Sequence, residues 1–241
     1  MKKIINTNIL LLLFTFTISY AQQDIVSQTL SQVNQLDITL KILFLITILS
    51  LAPSILITLT SFVRIVIVLS LLRHALGIPQ SPPNQVIIAL ALFLTFFVMK
   101  PVFEDINNQA IQPYLNKQIT DVEAIKRAQE PLKKFMLHNT RKEDLKLFIN
   151  LSDSKPKKPE DISMITLIPA FMISEIKTAF EIVFVIFLPF LIIDLLISSI
   201  LMSMGMMMIP PMMISLPFKL ILFVMADGWE LLTKALIESY K

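Results

Sequence analysis

Met202-Ser203-Met204-Gly205-Met206-Met207-Met208-Ile209-Pro210-Pro211-Met212-Met213 holds seven of the chain's 13 methionines and one of its three glycines. It separates two long apolar runs, 182–204 and 216–236. Proline has no N–H to donate and clashes with the preceding turn, so Pro210 and Pro211 cannot continue a helix. The stretch therefore reads as a break between two hydrophobic helices, lined with unbranched thioether side chains. Methionine adapts to irregular shapes at little cost. Two uses follow from that property: filling gaps in a loosely packed turn, or forming a deformable apolar seal around something that passes.

The composition argues for a membrane chain. Of 241 residues, 55% are hydrophobic and 16% charged, and the mean hydropathy is +0.73. Apolar runs near twenty residues recur, the length that crosses a bilayer core as helix. The formal net charge is only +3, with lysines scattered among acids, so nothing marks a nucleic-acid surface. With no cysteine there is no disulfide, thiolate metal site or cysteine nucleophile. His74 and His138 are too far apart to form a zinc motif, and no glycine-rich phosphate loop occurs. No cofactor is expected.

Outward from the methionine stretch, five segments are expected. Residues 1–21 read as a signal peptide: Lys2 and Lys3, a short apolar run from Ile9 to Ile18, and small residues at Ser19 and Ala21. Residues 22–40 form an exposed polar segment. Residues 41–100 form a first hydrophobic helical hairpin, kinked or divided at Pro53, turning at Gly77 and Pro82-Pro83, and ending before Pro101. Residues 101–164 are a soluble helical insertion. Residues 100–161 carry 12 Lys/Arg and 10 Asp/Glu, with apolar residues at helical spacing. Thr120 or Asp121 should cap one helix, and Thr140-Arg141-Lys142-Glu143 fits a capping box for the next. A cleaved signal and two crossings place this insertion on the periplasmic side, because long loops cross largely regardless of charge. Residues 165–241 form a second hydrophobic hairpin around the methionine turn, with kinks at Pro189 and Pro217. The fold class is all-α.

Five ionisable residues stand out in apolar surroundings: Arg64, Glu175, Asp194, Lys219 and Asp227. Charges there are expensive and are paired or functional. Both signs are present, so salt bridging between helices or subunits accounts for them more readily than an ion relay.

Several motifs together resemble the FliP family of flagellar biosynthetic proteins. They are Thr60-Ser61-Phe62, Arg64-Ile65, Leu72-Arg73, Ala75-Leu76-Gly77, Pro82-Pro83-Asn84-Gln85-Val86 and Leu90-Ala91-Leu92-Phe93-Leu94-Thr95 in the first hairpin. In the second they are Glu175, Lys177-Thr178-Ala179-Phe180, Pro189-Phe190, Asp194, Met204 to Pro211, Leu216-Pro217-Phe218-Lys219 and Asp227-Gly228-Trp229. The injectisome homologue, SctR, shares much of this pattern; the signal peptide tilts toward the flagellar member. The resemblance implies a non-enzymatic subunit of a type III export gate in the bacterial inner membrane at the flagellar basal body. Further copies of the chain, five in the family assembly, would join FliQ, FliR and other export components in a helical pore complex for unfolded flagellar substrates. The family's methionine constriction would map onto Met206, Met207 and Met208, and its intersubunit ion pair onto Glu175 and Lys219. Two other classes remain as alternatives: an ion-coupled small-solute transporter using Arg64, Asp194 and Asp227, and an intramembrane hydrolase. The hydrolase ranks last because neither G-x-S-x-G nor H-E-x-x-H occurs.

Overall fold

The computed structural model describes residues 38–152, 156, 158–206 and 209–240. The expected signal peptide, most of the 22–40 segment, Met207 and Met208 lie outside them. Nine α-helices are described: α1 (Ile38–Leu59), α2 (Phe62–Ala75), α3 (Asn84–Ile106), α4 (Gln112–Leu115), α5 (Asp121–Asn139), α6 (Lys142–Leu151), α7 (Met164–Ser203), α8 (Pro211–Met225) and α9 (Gly228–Glu238). No strand occurs among the described residues, so the fold is all-α.

The chain divides into two compact units. One comprises the described residues up to Ile55 together with Asp105–Pro131; the other comprises Leu56–Glu104 and the residues from Leu132 onward. In the first unit the apolar side chains of α1 face outward, Leu43, Ile46 and Leu49 among them. A π-helical turn, Asn107–Ile111, leads into α4. Of the two candidate caps for α5, Thr120 serves: its hydroxyl accepts from the Glu123 N–H at 3.4 Å. Glu123 also pairs with Arg127 one turn on, at 2.9 Å.

The second unit holds the main core. α2 buries Phe62, Ile65, Val68, Leu69, Leu72 and Ala75, the repeat of a helix covered on one side. Ile87 and Ala91 from α3, Ala179 and Val183 from α7, Phe223 from α8, and Leu232 and Leu236 from α9 join this cluster. A smaller cluster, Met136, Ile162, Leu167 and Phe171, lies where α5 meets α7.

Helix ends follow their residues at two glycines. At Gly77, φ is +80°; its N–H donates to the His74 carbonyl and the Ile78 N–H to Arg73. At Gly205, φ is +72°; its N–H donates to Met202 and the Met206 N–H to Leu201. Both are left-handed closures that satisfy the last carbonyls of a helix.

Three local expectations are corrected. The 42–72 run breaks at Thr60-Ser61, while α1 continues through Pro53. Thr60 gives its hydroxyl proton to the Leu56 carbonyl, and the same oxygen accepts from the Phe62 N–H at 3.3 Å, so one side chain closes one helix and opens the next. The second helix does not stop before Pro101. It runs on as one helical span from Asn84 to Leu115. Its buried face, Ile87, Ala91, Leu94, Thr95, Met99 and Val102, is unbroken across the proline, and this packing outweighs a penalty of about 3 kcal/mol. The capping box at Thr140 does not form. Its hydroxyl bonds back to the Met136 carbonyl at 2.6 Å, leaving Arg141 as an N-cap without a side-chain bond.

Among the described residues, two helical spans are long and apolar enough to cross a membrane: Asn84–Leu115 and Met164–Ser203. A third is added if the broken pair Leu45–Leu59 and Phe62–Ala75 counts as one.

Candidate functional site

The methionine turn is the tip of a helical hairpin. α7 closes at Gly205, and α8 opens with Pro211 in its first turn, where a missing N–H costs nothing. Met204, Met206, Met212 and Met213 are all exposed, at 62%, 41%, 64% and 73%. No methionine of this group belongs to either core cluster. The tip is therefore apolar, flexible in its side chains and uncovered by the rest of the described chain.

Below the tip, α7 and α8 fold back on one another. Asp194 and Lys219 stand at nearly equal distances from Met206 along the two arms, and they meet. Lys219 Nζ lies 2.6 Å from Asp194 Oδ2 and donates to the Ala75 carbonyl at 3.2 Å. The Ser215 hydroxyl, one turn before Lys219, donates to Asp194 Oδ1 at 2.6 Å. Lys219 is buried, whereas the Asp194 side chain is 42% exposed. The lysine, with its stem among apolar groups, thus reaches one carboxylate at the edge and one orphan carbonyl at the end of α2.

Arg64 and Glu175 form the second charged centre, 3% and 0% exposed. The contact is bidentate: Arg64 Nε donates to Glu175 Oε2 at 3.0 Å and Nη2 to Oε1. Arg64 Nη1 donates to both the carbonyl and the hydroxyl of Ser239, each at 3.0 Å. The Tyr240 hydroxyl donates to Glu175 Oε2, with the Ser61 carbonyl 3.2 Å away. Its ring lies 3.8 Å from the guanidinium carbon, a cation–π contact. Burial, and then the facing carboxylate, push the Tyr240 phenol well above its ordinary value, so it acts as a neutral donor.

A third buried cation, Arg73, braces the turn between α2 and α3. It donates to the Pro82 carbonyl and to Asn84 Oδ1, both at 2.8 Å. Asn84, the first residue of α3, is thus held by this arginine.

The expected charged residues therefore separate. Glu175 pairs with Arg64 and Lys219 with Asp194, so Glu175 and Lys219 have different partners within the chain. Asp227 is exposed, in a left-handed conformation (φ +49°) at the start of α9. Of the three expected constriction residues only Met206 is described. Ser215, Ser239 and Tyr240 escaped the sequence reading. Tyr240 had a signal, because it continues past the end of α9 the four-residue spacing of the buried Leu232 and Leu236. Chemically, these centres are closed ion pairs with their hydrogen bonds filled by hydroxyls and carbonyls. No group of three His, Cys, Asp or Glu is placed to hold a metal ion among the described residues.

Residues 45–236 match the FliP family. The chain is 56% identical over 206 residues to the flagellar biosynthetic protein FliP of Aquifex aeolicus (strain VF5), covering 84% of this chain and 86% of that protein. It is 55% identical over 203 residues to the protein of the same name from Bacillus subtilis (strain 168), covering 84% and 92%. It is 52% identical over 204 residues to the one from Pectobacterium carotovorum subsp. carotovorum, covering 84% and 79%.

Proposed function

The chain belongs to the FliP family, and from that premise we propose that it is a pore-forming subunit of the flagellar protein-export apparatus. The relatives named above are flagellar, which favours that role over an injectisome one. In this reading several copies, five by resemblance, surround a central path with FliQ and FliR in the inner membrane. Unfolded flagellar substrates then pass through it, with the insertion on the periplasmic side.

The carrying observation is the exposed methionine tip on the α7–α8 hairpin. Copies gathered around an axis bring Met206, Met207 and Met208 together as an apolar constriction. Such a ring excludes water and ions at rest by dewetting. It deforms around a passing chain without reading its sequence, because thioether side chains repack easily. Polar-interrupted helices, and the bend at the break between α1 and α2, support the same reading, since they suit burial in protein better than contact with lipid.

An intersubunit pair between Glu175 and Lys219 belongs to this proposal, and it has a structural requirement. Each residue must first exchange its partner within the chain, Arg64 for one and Asp194 for the other. The solute-transporter alternative draws less support. It needs Arg64, Asp194 and Asp227 in one pathway, and they occupy three separate environments.

Replacing Met206, Met207 and Met208 together with alanine in the assembled complex tests the seal. Ion leakage across the membrane is expected to rise while assembly is retained. Unchanged leakage with normal assembly sinks the constriction. The chain has no cysteine, so a single Met207→Cys adds an independent check. Oxidative crosslinking between copies is expected only when FliQ and FliR are present.

A further inference from the structure

Arg64 and Glu175 are sealed by two residues that follow α9. A guanidinium has five N–H groups, and the bidentate contact with Glu175 leaves Nη1 unused. Ser239 fills it twice, through its carbonyl and its hydroxyl. Glu175 Oε2 receives one bond from Arg64 and a second from the Tyr240 hydroxyl. A buried ion pair is tolerated when such additional bonds satisfy its remaining donors and acceptors.

The same two residues are fastened elsewhere. The Tyr240 ring covers the guanidinium on one side. It also stacks on Phe135 of α5, with centroids 5.9 Å apart and planes at 21°. Phe135 in turn meets Phe171 of α7 edge-on at 5.9 Å. Thus Tyr240 touches α2, α5 and α7 at once, yet Ser239 is exposed and Tyr240 only half-buried. α9 ends at Glu238, and their ties to it are the backbone bonds from the Ser239 N–H to Ala235 and from the Tyr240 N–H to Ile237, with the Ser239 hydroxyl donating to Leu236. Every described bond they make to the ion pair is non-covalent and can be undone locally.

We propose that Ser239 and Tyr240 form a strap that closes over Arg64–Glu175. Docked, it isolates the pair from water and from other charges and ties the insertion helix α5 to the apolar helices. Lifted, it uncovers a carboxylate and a guanidinium on the α2–α7 seam, where a charged group of another chain reaches them. The strap thereby sets when this pair can change partners. It is a property of the single chain and holds whatever the assembly conducts.

Ser61 provides the probe. It is fully buried, its hydroxyl has no hydrogen-bond partner, and its carbonyl faces the Tyr240 hydroxyl. Ser61→Cys is nearly isosteric and introduces the only thiol in the 241-residue sequence. In the detergent-solubilised complex, its labelling by a small uncharged maleimide reports opening of the strap. Tyr240→Ala is expected to raise the labelling rate about tenfold or more, the scale of losing a hydrogen bond to a charged acceptor together with its packing. Tyr240→Phe, which keeps the ring and both stacks, is expected to fall between this variant and the parent. Ala91→Cys, buried in the core away from the strap, controls for unfolding and is expected to stay protected. Equal Ser61→Cys labelling with Tyr240 and with alanine overturns the strap. A rise at Ala91→Cys matching that at Ser61→Cys also overturns it, because the residue would then hold the fold as a whole.

Discussion

Arg64 and Arg141 both pair with glutamates in bidentate fashion, but only one of them should matter to stability. Arg64–Glu175 is sealed from solvent, so removing one partner strands the other charge. Arg64→Met is expected to destabilise the folded chain by about 3–5 kcal/mol, read as the shift of the unfolding midpoint in detergent. Adding Glu175→Leu to that variant should recover much of the loss, because two apolar side chains no longer strand a charge. Gly228 presents a steric case. A Cβ there would lie 2.3 Å from two carbons of the Phe223 ring, too close for any real contact. Gly228→Ala should therefore cost about 1–3 kcal/mol by overpacking, in the same measurement. At Gly205 a Cβ would meet nothing within 4 Å among the described residues, and there the left-handed backbone is what resists substitution. Gly205→Asn should be milder than Gly205→Val, because asparagine tolerates that conformation and a β-branched residue does not.

Among the helices, α6 and α7 are joined by polar ties, of which the Arg141–Glu181 pair is the exposed one. The Arg141 N–H donates to the Ser174 hydroxyl at 2.9 Å, the Arg141 side chain pairs with Glu181, and Lys177 lies 3.7 Å from Asp144. Arg141 and Glu181 are 28% and 58% exposed, so water and salt compete for them. Arg141→Ala should cost only about 0.2–1 kcal/mol, and the difference from the parent should shrink as salt is raised. A large, salt-independent loss would place this pair among the buried ones. The elements were legible where side chains act locally. Gly77, Gly205 and Pro211 each impose a backbone rule, and the ends of α2 and α7 and the start of α8 follow. They were illegible where tertiary packing overrides the rule. Pro101 looked like a helix end because its missing bond is visible in sequence, while the buried stripe from Ile87 to Val102 that outweighs it is visible only once folded. Thr140 likewise had two choices for its hydroxyl, and the preceding helix took it.

Taken whole, the molecule shows which part of a site sequence can reveal. The hairpin about Met206 was legible, but the meeting of Asp194 and Lys219 was not read from it: the sequence reading paired Lys219 with Glu175, although a hairpin brings together residues equidistant from its turn. Arg64–Glu175 was not legible, because 111 residues separate them and no periodicity connects α2 to α7. Length also matters at this scale. α7 has 40 residues, about 60 Å, against roughly 30 Å of hydrocarbon core. Tilting alone would require an angle beyond the usual range, so part of α7 must lie among protein. Its first half does: Leu167, Ala170, Phe171, Ser174, Glu175 and Ala179 are buried. Its second half mostly turns outward, with Leu188, Leu191, Ile192, Leu195 and Leu196 exposed. A single cysteine at Leu195 should label freely in the isolated chain in mild detergent and become protected on assembly; equal labelling in both states would show that this face is not covered by partners.

The outward-facing phenylalanines set a time limit on each new copy. Phe93, Phe97, Phe180 and Phe184 are 75%, 62%, 56% and 66% exposed, outside the chain's own core. In the proposed assembly, a freshly made chain that finds no companion keeps these rings available to chaperones and membrane proteases. Surplus copies are then expected to be cleared, so that the number of finished complexes follows whichever companion is scarcest, without a dedicated counting device.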